Sequence, residues 1–307
     1  MSVMGQIFVL FMLIMIGFAI RKLGIVSSAM NKEVSSFVLN VALPAFLISS
    51  MDFPFSMDVL IDSGLLILVS FAVYGVSILI SKIYSKVMGN TGKSKDVMEY
   101  VIIFSNCGYM GYPVVYEIFG EKGVFYAALY NLSFSILIWS YGVYLLKSDD
   151  AVKKISIRAR LKRVVSPGLV AIVIGYFMFL TGLSFPEPVK VILEMVGDTT
   201  TPLSMMFIGF ILTEVKFKEA MQNTQVWWIS LLRLVVIPVL TYTALTLLGF
   251  KGLTLYIPVI ISAMPAAANT AIFASQFNSD YKFGSLLIFA TTLLSLGTIP
   301  LLMMFIR

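Results

Sequence analysis

The stretch SNCGYMGYP, residues 105–113, interrupts an apolar run with asparagine, glycine and proline. A second stretch, SAMPAAANTA at residues 262–271, interrupts another run in a similar way. Both runs are otherwise apolar enough to span a bilayer. A helix broken in hydrocarbon exposes backbone N–H and C=O groups, which persist only where protein or a water-lined cavity satisfies them. The two breaks therefore predict a transporter whose ligand binds at the interruptions.

The composition indicates an integral membrane protein. Of 307 residues, 59% are apolar and 12% are charged, and the mean hydropathy is +0.95. A soluble domain holds about 45–50% apolar and about 25% charged residues. The first apolar run is followed by Arg21 and Lys22 and has no basic residue before it, the reverse of a signal peptide. We therefore expect this run to remain as the first transmembrane helix.

Several kinds of chemistry are excluded by composition. The chain has no histidine and one cysteine, Cys107, so it can form neither an intramolecular disulfide nor a Ser–His dyad or HExxH site. It also lacks a GxxxxGK[ST] motif and paired intramembrane aspartates. We therefore predict that the protein is not an enzyme and has no metal site and no cofactor. The net charge of +6 is spread over loops and predicts no nucleic-acid partner.

The apolar runs predict an all-α polytopic membrane protein. A helix needs about 20 residues to cross about 30 Å of hydrocarbon. On that length the sequence divides into ten runs, at residues 3–20, 34–51, 61–81, 97–118, 123–146, 166–183, 188–213, 226–248, 254–276 and 284–306.

The basic residues predict the orientation of these runs. When the ten runs alternate across the bilayer, 17 of the 22 Lys and Arg residues fall on one side and four on the other, with Arg233 inside a run. The positive-inside rule then places both termini outside and the basic linker 147–163 in the cytoplasm of a multi-pass cell-membrane protein. This linker, KSDDAVKKISIRARLKR, holds seven of the basic residues. We expect it to be a connector near anionic headgroups, with a regulatory role as the alternative.

The same linker divides the chain into two predicted repeats. Residues 1–146 form the first five-helix repeat, residues 147–165 the linker, and residues 166–307 the second repeat. With five spans in each half, the second half enters the membrane from the opposite side, so the 5+5 repeat would be inverted. The spacing agrees, because Pro44 precedes Asn106 by 62 residues and Pro202 precedes Pro265 by 63.

The breaks also predict an anion site near the bilayer midplane. Proline is favoured in the first turn of a helix, so Pro113 and Pro265 are predicted to begin the second half-helices. The free N–H groups and partial positive charge of such helix starts would attract a carboxylate. Asn106 and Asn269 would add amide groups, although they could instead serve only as helix caps. The predicted substrate-binding residues are Asn106, Cys107, Gly108, Tyr109, Pro113, Pro265, Asn269 and Thr270.

Polar residues within the runs supply candidates for ion pairing and coupling. A charge at bilayer depth costs roughly 2.5–3.5 kcal/mol, so Arg233 needs a reason to be there. It could snorkel inward, pair with Asp198 or bind an anionic substrate. Asp198 could cap a break in the seventh run or act as the protonatable carboxylate that couples transport to H⁺. Its counterpart in the first repeat, offset by 158 residues, is Asn40.

Three motifs carry a resemblance to a known family. SNCGYMGYP, MPAAANTAIFAS (264–275) and NVALPAFL (40–47) resemble the auxin efflux carrier family, and the similarity covers essentially the whole chain. That family includes plant PIN-FORMED auxin exporters and bacterial permeases assigned to malate, malonate or similar acids. The resemblance implies a fold similar to sodium/bile-acid symporters, with scaffold and transport domains each drawn from both repeats.

The resemblance also implies particular site residues. Helices four and nine would be broken and would cross, with Asn106, Pro113, Pro265 and Asn269 at the crossover and the substrate carboxylate beside them. Cys107 and Tyr112 occupy positions where the motif is expected to hold threonine or an aliphatic residue. These differences indicate that the pocket could suit a different acid.

Together, these features predict a secondary active transporter. It would move a small organic anion, such as malate, malonate or an auxin-like acid, by alternating access, with H⁺ as the expected coupling ion and Na⁺ as the alternative. A membrane sensor or channel that retains the carrier fold is the competing function. The substrate, the direction of flux and the oligomeric state stay open, with a homodimer as one option.

Overall fold

The computed structural model describes residues 3–146, 165–215 and 217–306. Within these ranges the chain is helical, and the one strand-like feature is an isolated antiparallel bridge between Ser105 and Ala266. The linker predicted at 147–163 lies outside the described residues.

Sixteen α-helices are described. They are α1 Val3–Lys22, α2 Ser28–Phe37, α3 Leu43–Ser50, α4 Met57–Val87, α5 Gly92–Ile103, α6 Tyr112–Leu137, α7 Val143–Leu146, α8 Pro167–Thr181, α9 Glu187–Gly197, α10 Thr200–Leu212, α11 Phe217–Gln222, α12 Thr224–Leu231, α13 Ile237–Leu247, α14 Leu253–Ala263, α15 Thr270–Gln276 and α16 Tyr281–Ile306. Four π-helical turns lie between neighbouring helices, at Val38–Ala42, Cys107–Gly111, Ile138–Gly142 and Leu232–Val236.

Several helical segments are suited to a bilayer. In the described ranges, seven are long and apolar enough to cross one, and two shorter apolar helices accompany them. The seven are Met4–Lys22, Ala29–Ser50, Met57–Val87, Cys107–Leu146, Glu187–Leu212, Thr224–Leu247 and Tyr281–Phe305. An all-helical polytopic membrane protein is therefore confirmed, whereas the count of ten spans and the inverted repeat stay predictions.

The chain forms two compact units. The first contains residues 3–66, 108–130 and 165–214, and the second contains residues 67–107, 131–146, 215 and 217–306. Each unit therefore combines segments from before and after the central linker.

The first unit is held by a close approach of α1 and α10. A Cβ atom placed on Gly17 would collide with the backbone of Met206, and one placed on Gly209 would collide with the backbone of Ile14. Helices in lipid associate largely through van der Waals packing, so glycines that let backbones approach closely strengthen the contact.

The second unit contains two short helices that position the candidate site. α5 has 12 residues and α14 has 11. At 1.5 Å per residue these helices are about 17–18 Å long, too short for a hydrocarbon core of about 30 Å. The residues from Val97 to Ile103 of α5 are all buried. Side-chain hydrogen bonding adds to the packing of this unit, as the Ser133 hydroxyl donates to that of Ser70 at 2.6 Å.

Candidate functional site

Both short helices end in an extended residue. α5 is followed by Phe104, with φ −100° and ψ 117°, and α14 is followed by Met264, with φ −65° and ψ 147°. Helical structure resumes at Cys107 after the first break and at Thr270 after the second. The interruptions predicted at Asn106 and at Pro265 and Asn269 thus coincide with real ones, whereas Gly108, Gly111 and Pro113 lie in helical structure.

The two breaks hydrogen-bond to each other through their backbones. The N–H of Asn106 donates to the carbonyl oxygen of Pro265 at 2.8 Å, and the N–H of Ala267 donates to that of Phe104 at 3.1 Å. These bonds flank the antiparallel bridge between Ser105 and Ala266. Each break therefore satisfies groups that the other leaves without helical partners, which allows both to persist inside a membrane protein.

Arg233 connects the ends of the two preceding helices. Its side chain is 1% exposed and projects from the π-helical turn Leu232–Val236. Nε donates to the carbonyl oxygen of Met264 at 3.1 Å, and Nη1 donates to that of Ile102 at 3.2 Å. Helix C-termini carry carbonyls without intrahelical partners and a partial negative charge, so a guanidinium is well matched to them.

The buried position of Arg233 tests the prediction that its side chain snorkels to the membrane surface. A snorkelling arginine would carry its guanidinium to the membrane surface, whereas this side chain is fully enclosed. The snorkelling prediction is therefore wrong, because two backbone carbonyls supply in the interior the hydrogen bonds that water would supply at the surface. Pairing with Asp198 and contact with a substrate stay predictions.

The two asparagines lie at the breaks, and Asn269 has an unused hydrogen-bonding atom. Asn106 is 4% exposed. Asn269 occupies the N-cap position of α15, but its side chain makes no capping hydrogen bond. Its Oδ1 is buried and has no hydrogen-bond partner within the described residues. Leaving such an atom unsatisfied costs about 1–3 kcal/mol. The structure therefore does not support the capping alternative for Asn269, and it leaves an acceptor for a ligand hydroxyl or a protonated acid.

Thr270 and Cys107 support the geometry of the breaks. The Thr270 side chain is fully buried, and its hydroxyl donates to the carbonyl oxygen of Ala267 at 2.6 Å. Cys107 is 3% exposed, and its N–H donates to the carbonyl oxygen of Ser105 at 2.9 Å. Both residues therefore lie at the breaks, and the Thr270 hydroxyl bonds to the backbone there.

The prolines do not begin the second half-helices as predicted. Pro265 lies within the extended segment, and α15 starts only at Thr270. Pro113 is the second residue of α6, but helical backbone already starts at Cys107 in a π-helical turn. Proline has no N–H to donate, and the pairing at Pro265 uses only its carbonyl oxygen. At this extended position the backbone is needed only as a hydrogen-bond acceptor. Proline therefore fits there as readily as in the first turn of a helix.

Three predicted site residues belong to the first unit. Gly108, Tyr109 and Pro113 fall in its segment 108–130. The Tyr109 hydroxyl is 2.5 Å from the hydroxyl of Ser35, and its ring centroid is 4.8 Å from that of Phe207. These contacts lie within the first unit, whereas Asn106, Cys107, Pro265, Asn269 and Thr270 belong to the second.

The coupling candidates Asp198 and Asn40 are exposed. Asp198 is the residue after α9, and its N–H donates to the carbonyl oxygen of Glu194 at 2.8 Å. The Asn40 amide donates to the carbonyl oxygen of Ser36, in its own helical segment, at 2.8 Å. Asp198 therefore lies at the C-terminal end of α9, and its capping role and its coupling role both stay predictions.

Two buried polar residues of the second unit, Thr291 and Asn131, are not among the site residues predicted from the sequence. The Thr291 hydroxyl accepts the N–H of Ala266 at 3.1 Å and donates to the carbonyl oxygen of Leu287 at 2.7 Å. Asn131 is 2% exposed, and neither polar atom of its amide has a hydrogen-bond partner in the described part of the chain. An asparagine within an apolar run is a visible signal, whereas threonine is too common in membrane helices to identify Thr291.

Similar proteins are found over almost the full length of the chain. The family model described as membrane transport protein matches residues 2–303. An uncharacterized transporter from Methanothermobacter thermautotrophicus is 26% identical over 292 residues, which cover 94% of this chain and 93% of that protein. An uncharacterized transporter from Methanocaldococcus jannaschii is 25% identical over 305 residues, covering 97% of each chain. The similarity thus includes both breaks and the segments between them.

Proposed function

Because the chain belongs to the membrane transport protein family, we propose that it is a secondary active transporter of a small organic anion. The resemblance to the auxin efflux carrier family is confirmed by the same match. The observation that carries the proposal is the backbone pairing of two helix breaks through Asn106 and Pro265. Paired breaks within membrane helices are typical of substrate sites in carriers, where polar backbone is needed at depth.

The proposed substrate is a mono- or dicarboxylate, such as malate, malonate or an auxin-like acid. Asn106 and Asn269 would bind it beside the breaks. The unsatisfied Oδ1 of Asn269 suits a substrate hydroxyl or a protonated carboxyl, and amide N–H groups suit an ionised carboxylate. Cys107, Pro265 and Thr270 would shape this site from the same unit.

Transport would follow alternating access by a fold of ten helices in two inverted repeats, at 1–146 and 166–307. The division into two compact units, each with segments from both halves, supports separate scaffold and transport domains. Both termini would lie outside and the linker 147–163 in the cytoplasm. H⁺ is the proposed coupling ion, with Na⁺ as the alternative. Because Asp198 is exposed, its assignment as the proton carrier has no support from burial.

Uptake by purified protein in proteoliposomes tests the proposal. Labelled malate, malonate and indole-3-acetate would be offered with and without a pH gradient or Na⁺. Asn106→Ala and Asn269→Ala should each lower uptake about tenfold or more, as expected when a hydrogen bond to a charged group is lost. Asn31→Ala is the matched control, because Asn31 lies on α2 away from the breaks and its amide donates to the carboxylate of Glu214 at 2.6 Å.

The same vesicles distinguish a carrier from a channel. Preloading with unlabelled substrate should accelerate uptake by a carrier, because the loaded site returns faster than the empty one. Undiminished uptake in both asparagine variants would refute the assigned site. Uptake of these acids that does not saturate and does not respond to preloading would refute the carrier.

A further inference from the structure

The second unit contains a pocket of about 820 Å³ that is lined largely by polar residues. Its walls are formed by the end of α4, the turn to α5, the first turns of α5, and the end of the helical run at α7. We call it the basic pocket, and its charged residues are Lys82, Lys86, Lys93, Lys95, Asp96 and Glu99.

The lining of the basic pocket carries more positive than negative charge. Four lysines face two carboxylates, and one of these carboxylates is already paired, since Lys95 Nζ lies 3.7 Å from Glu99 Oε1. Lys82, Lys86 and Lys93 are exposed. The excess charge therefore favours an anionic ligand.

Two further groups in the pocket suit an anion. α5 starts at Gly92, with Thr91 as an N-cap residue that makes no side-chain capping bond and with no acidic residue in its first turn. The first N–H groups of a helix lack intrahelical partners and carry partial positive charge. The Tyr141 hydroxyl is also buried and has no hydrogen-bond partner within the described residues. An oxyanion could accept hydrogen bonds from both sources.

The position of the pocket along α4 indicates its level in the membrane. α4 has 31 residues, which makes it about 46 Å long and longer than a hydrocarbon core of about 30 Å. Lys82 and Lys86 lie in its last two turns, where the helix would reach the headgroup region.

Exposed apolar side chains lie on the chain close to the lysines. Leu79 is 59% exposed, Ile83 54%, Val87 76% and Tyr144 64%. These side chains flank Lys82 and Lys86 on α4 or line the pocket itself. Polar and apolar surfaces in this order match a phospholipid, whose acyl chains continue from its headgroup. A free phosphate ion would make no contact with the apolar side chains.

We propose that the basic pocket binds a phosphate group and that its occupant is the headgroup of an anionic phospholipid. Lys82, Lys86 and Lys93 contact the phosphate, the start of α5 and the Tyr141 hydroxyl add hydrogen bonds, and the acyl chains lie along the exposed side of α4. This site is independent of the substrate site at the helix breaks.

Lipid retention on purified protein tests this assignment. The protein would be mixed with phosphatidylglycerol and phosphatidylcholine of the same chain length, and bound lipid would be counted by native mass spectrometry. A parallel titration would use inorganic phosphate and follow thermal unfolding. The pocket variant is Lys82→Gln/Lys86→Gln/Lys93→Gln. The control is Lys22→Gln/Lys32→Gln/Lys218→Gln, which removes the same charge from exposed lysines outside the pocket.

The wild type and the control should retain phosphatidylglycerol in preference to phosphatidylcholine. The pocket variant should lose this preference, with affinity falling about fivefold for each lysine removed. Equal retention by all three proteins would overturn the site. If inorganic phosphate shifted thermal unfolding through the same lysines but no lipid preference were seen, the assignment of a phospholipid would be overturned. The pocket would then be a site for a soluble phosphate. If the triple variant does not fold, Lys93→Gln alone should give the single-lysine effect.

Discussion

The backbone N–H of Asn106 donates to the carbonyl oxygen of Pro265 at 2.8 Å, across two interruptions that lie 159 residues apart in the chain. Neither interruption could satisfy its backbone alone, because each helix ends at an extended residue. The pairing makes each break a condition for the stability of the other. Substitutions of the residues that stabilise the paired breaks should therefore lower stability, and this effect can be measured separately from transport.

Arg233→Gln should destabilise the protein by about 1.5–3 kcal/mol for each hydrogen bond from the charged guanidinium that is lost. Its guanidinium bonds the carbonyls of Ile102 and Met264 together. Arg233→Lys should restore only part of the loss, since an ammonium lacks the planar fork that reaches two acceptors. Thermal unfolding of the purified protein measures the effect.

The control for Arg233 is Lys251→Gln, which removes a positive charge from an exposed residue. Its stability should match that of the wild type. If Arg233→Gln unfolded like the wild type but lost uptake, the arginine would act on the substrate and not on the helix ends. That result would contradict the structural role.

Thr291→Val should cost about 1–3 kcal/mol, because the buried N–H of Ala266 would lose its acceptor at the second break. Valine is nearly isosteric with threonine, so packing should change little. Thr298→Val, on the same helix, is the matched control, since the Thr298 hydroxyl has no hydrogen-bond partner within the described residues. Equal stability of the two variants in an unfolding assay would show that Thr291 does not hold the break.

The contact between α1 and α10 predicts a different pattern. Gly17→Ala and Gly209→Ala would each place a methyl group against the backbone of the other helix, and overpacking typically costs about 1–3 kcal/mol. Gly64→Ala on α4 should be neutral or slightly stabilising, because its Cβ would meet nothing within 4 Å and alanine exceeds glycine in helix propensity by about 1 kcal/mol. Unfolding curves for the three variants measure these differences. Equal stability of all three would contradict the close approach of α1 and α10.

The places where sequence reasoning succeeded and failed have a physical basis. The breaks were predictable because asparagine and proline in an apolar run act on the local backbone. The second break lies within SAMPAAANTA, and the first, residues 104–106, overlaps the start of SNCGYMGYP. The position of Pro265 outside the helices was not predictable, because its carbonyl oxygen accepts a hydrogen bond from Asn106, which lies far away in the chain. The role of Arg233 was missed for the same reason, since the carbonyls that surround it come from two other helices. The predicted ten spans, inverted repeat and substrate are still to be tested.

The single cysteine provides a reporter of the break itself. Cys107 is 3% exposed and directly follows Asn106, so its reaction with a membrane-permeant maleimide should be slow in the folded protein. Arg233→Gln should accelerate labelling by loosening the paired breaks, and a bound organic acid should slow it further in the wild type. Mass spectrometry gives the rates, with Lys251→Cys in a Cys107→Ala background as the exposed control. Labelling of Cys107 at the rate of that control, with no response to any acid tested, would show that the breaks are open to solvent and would argue against a substrate beside them.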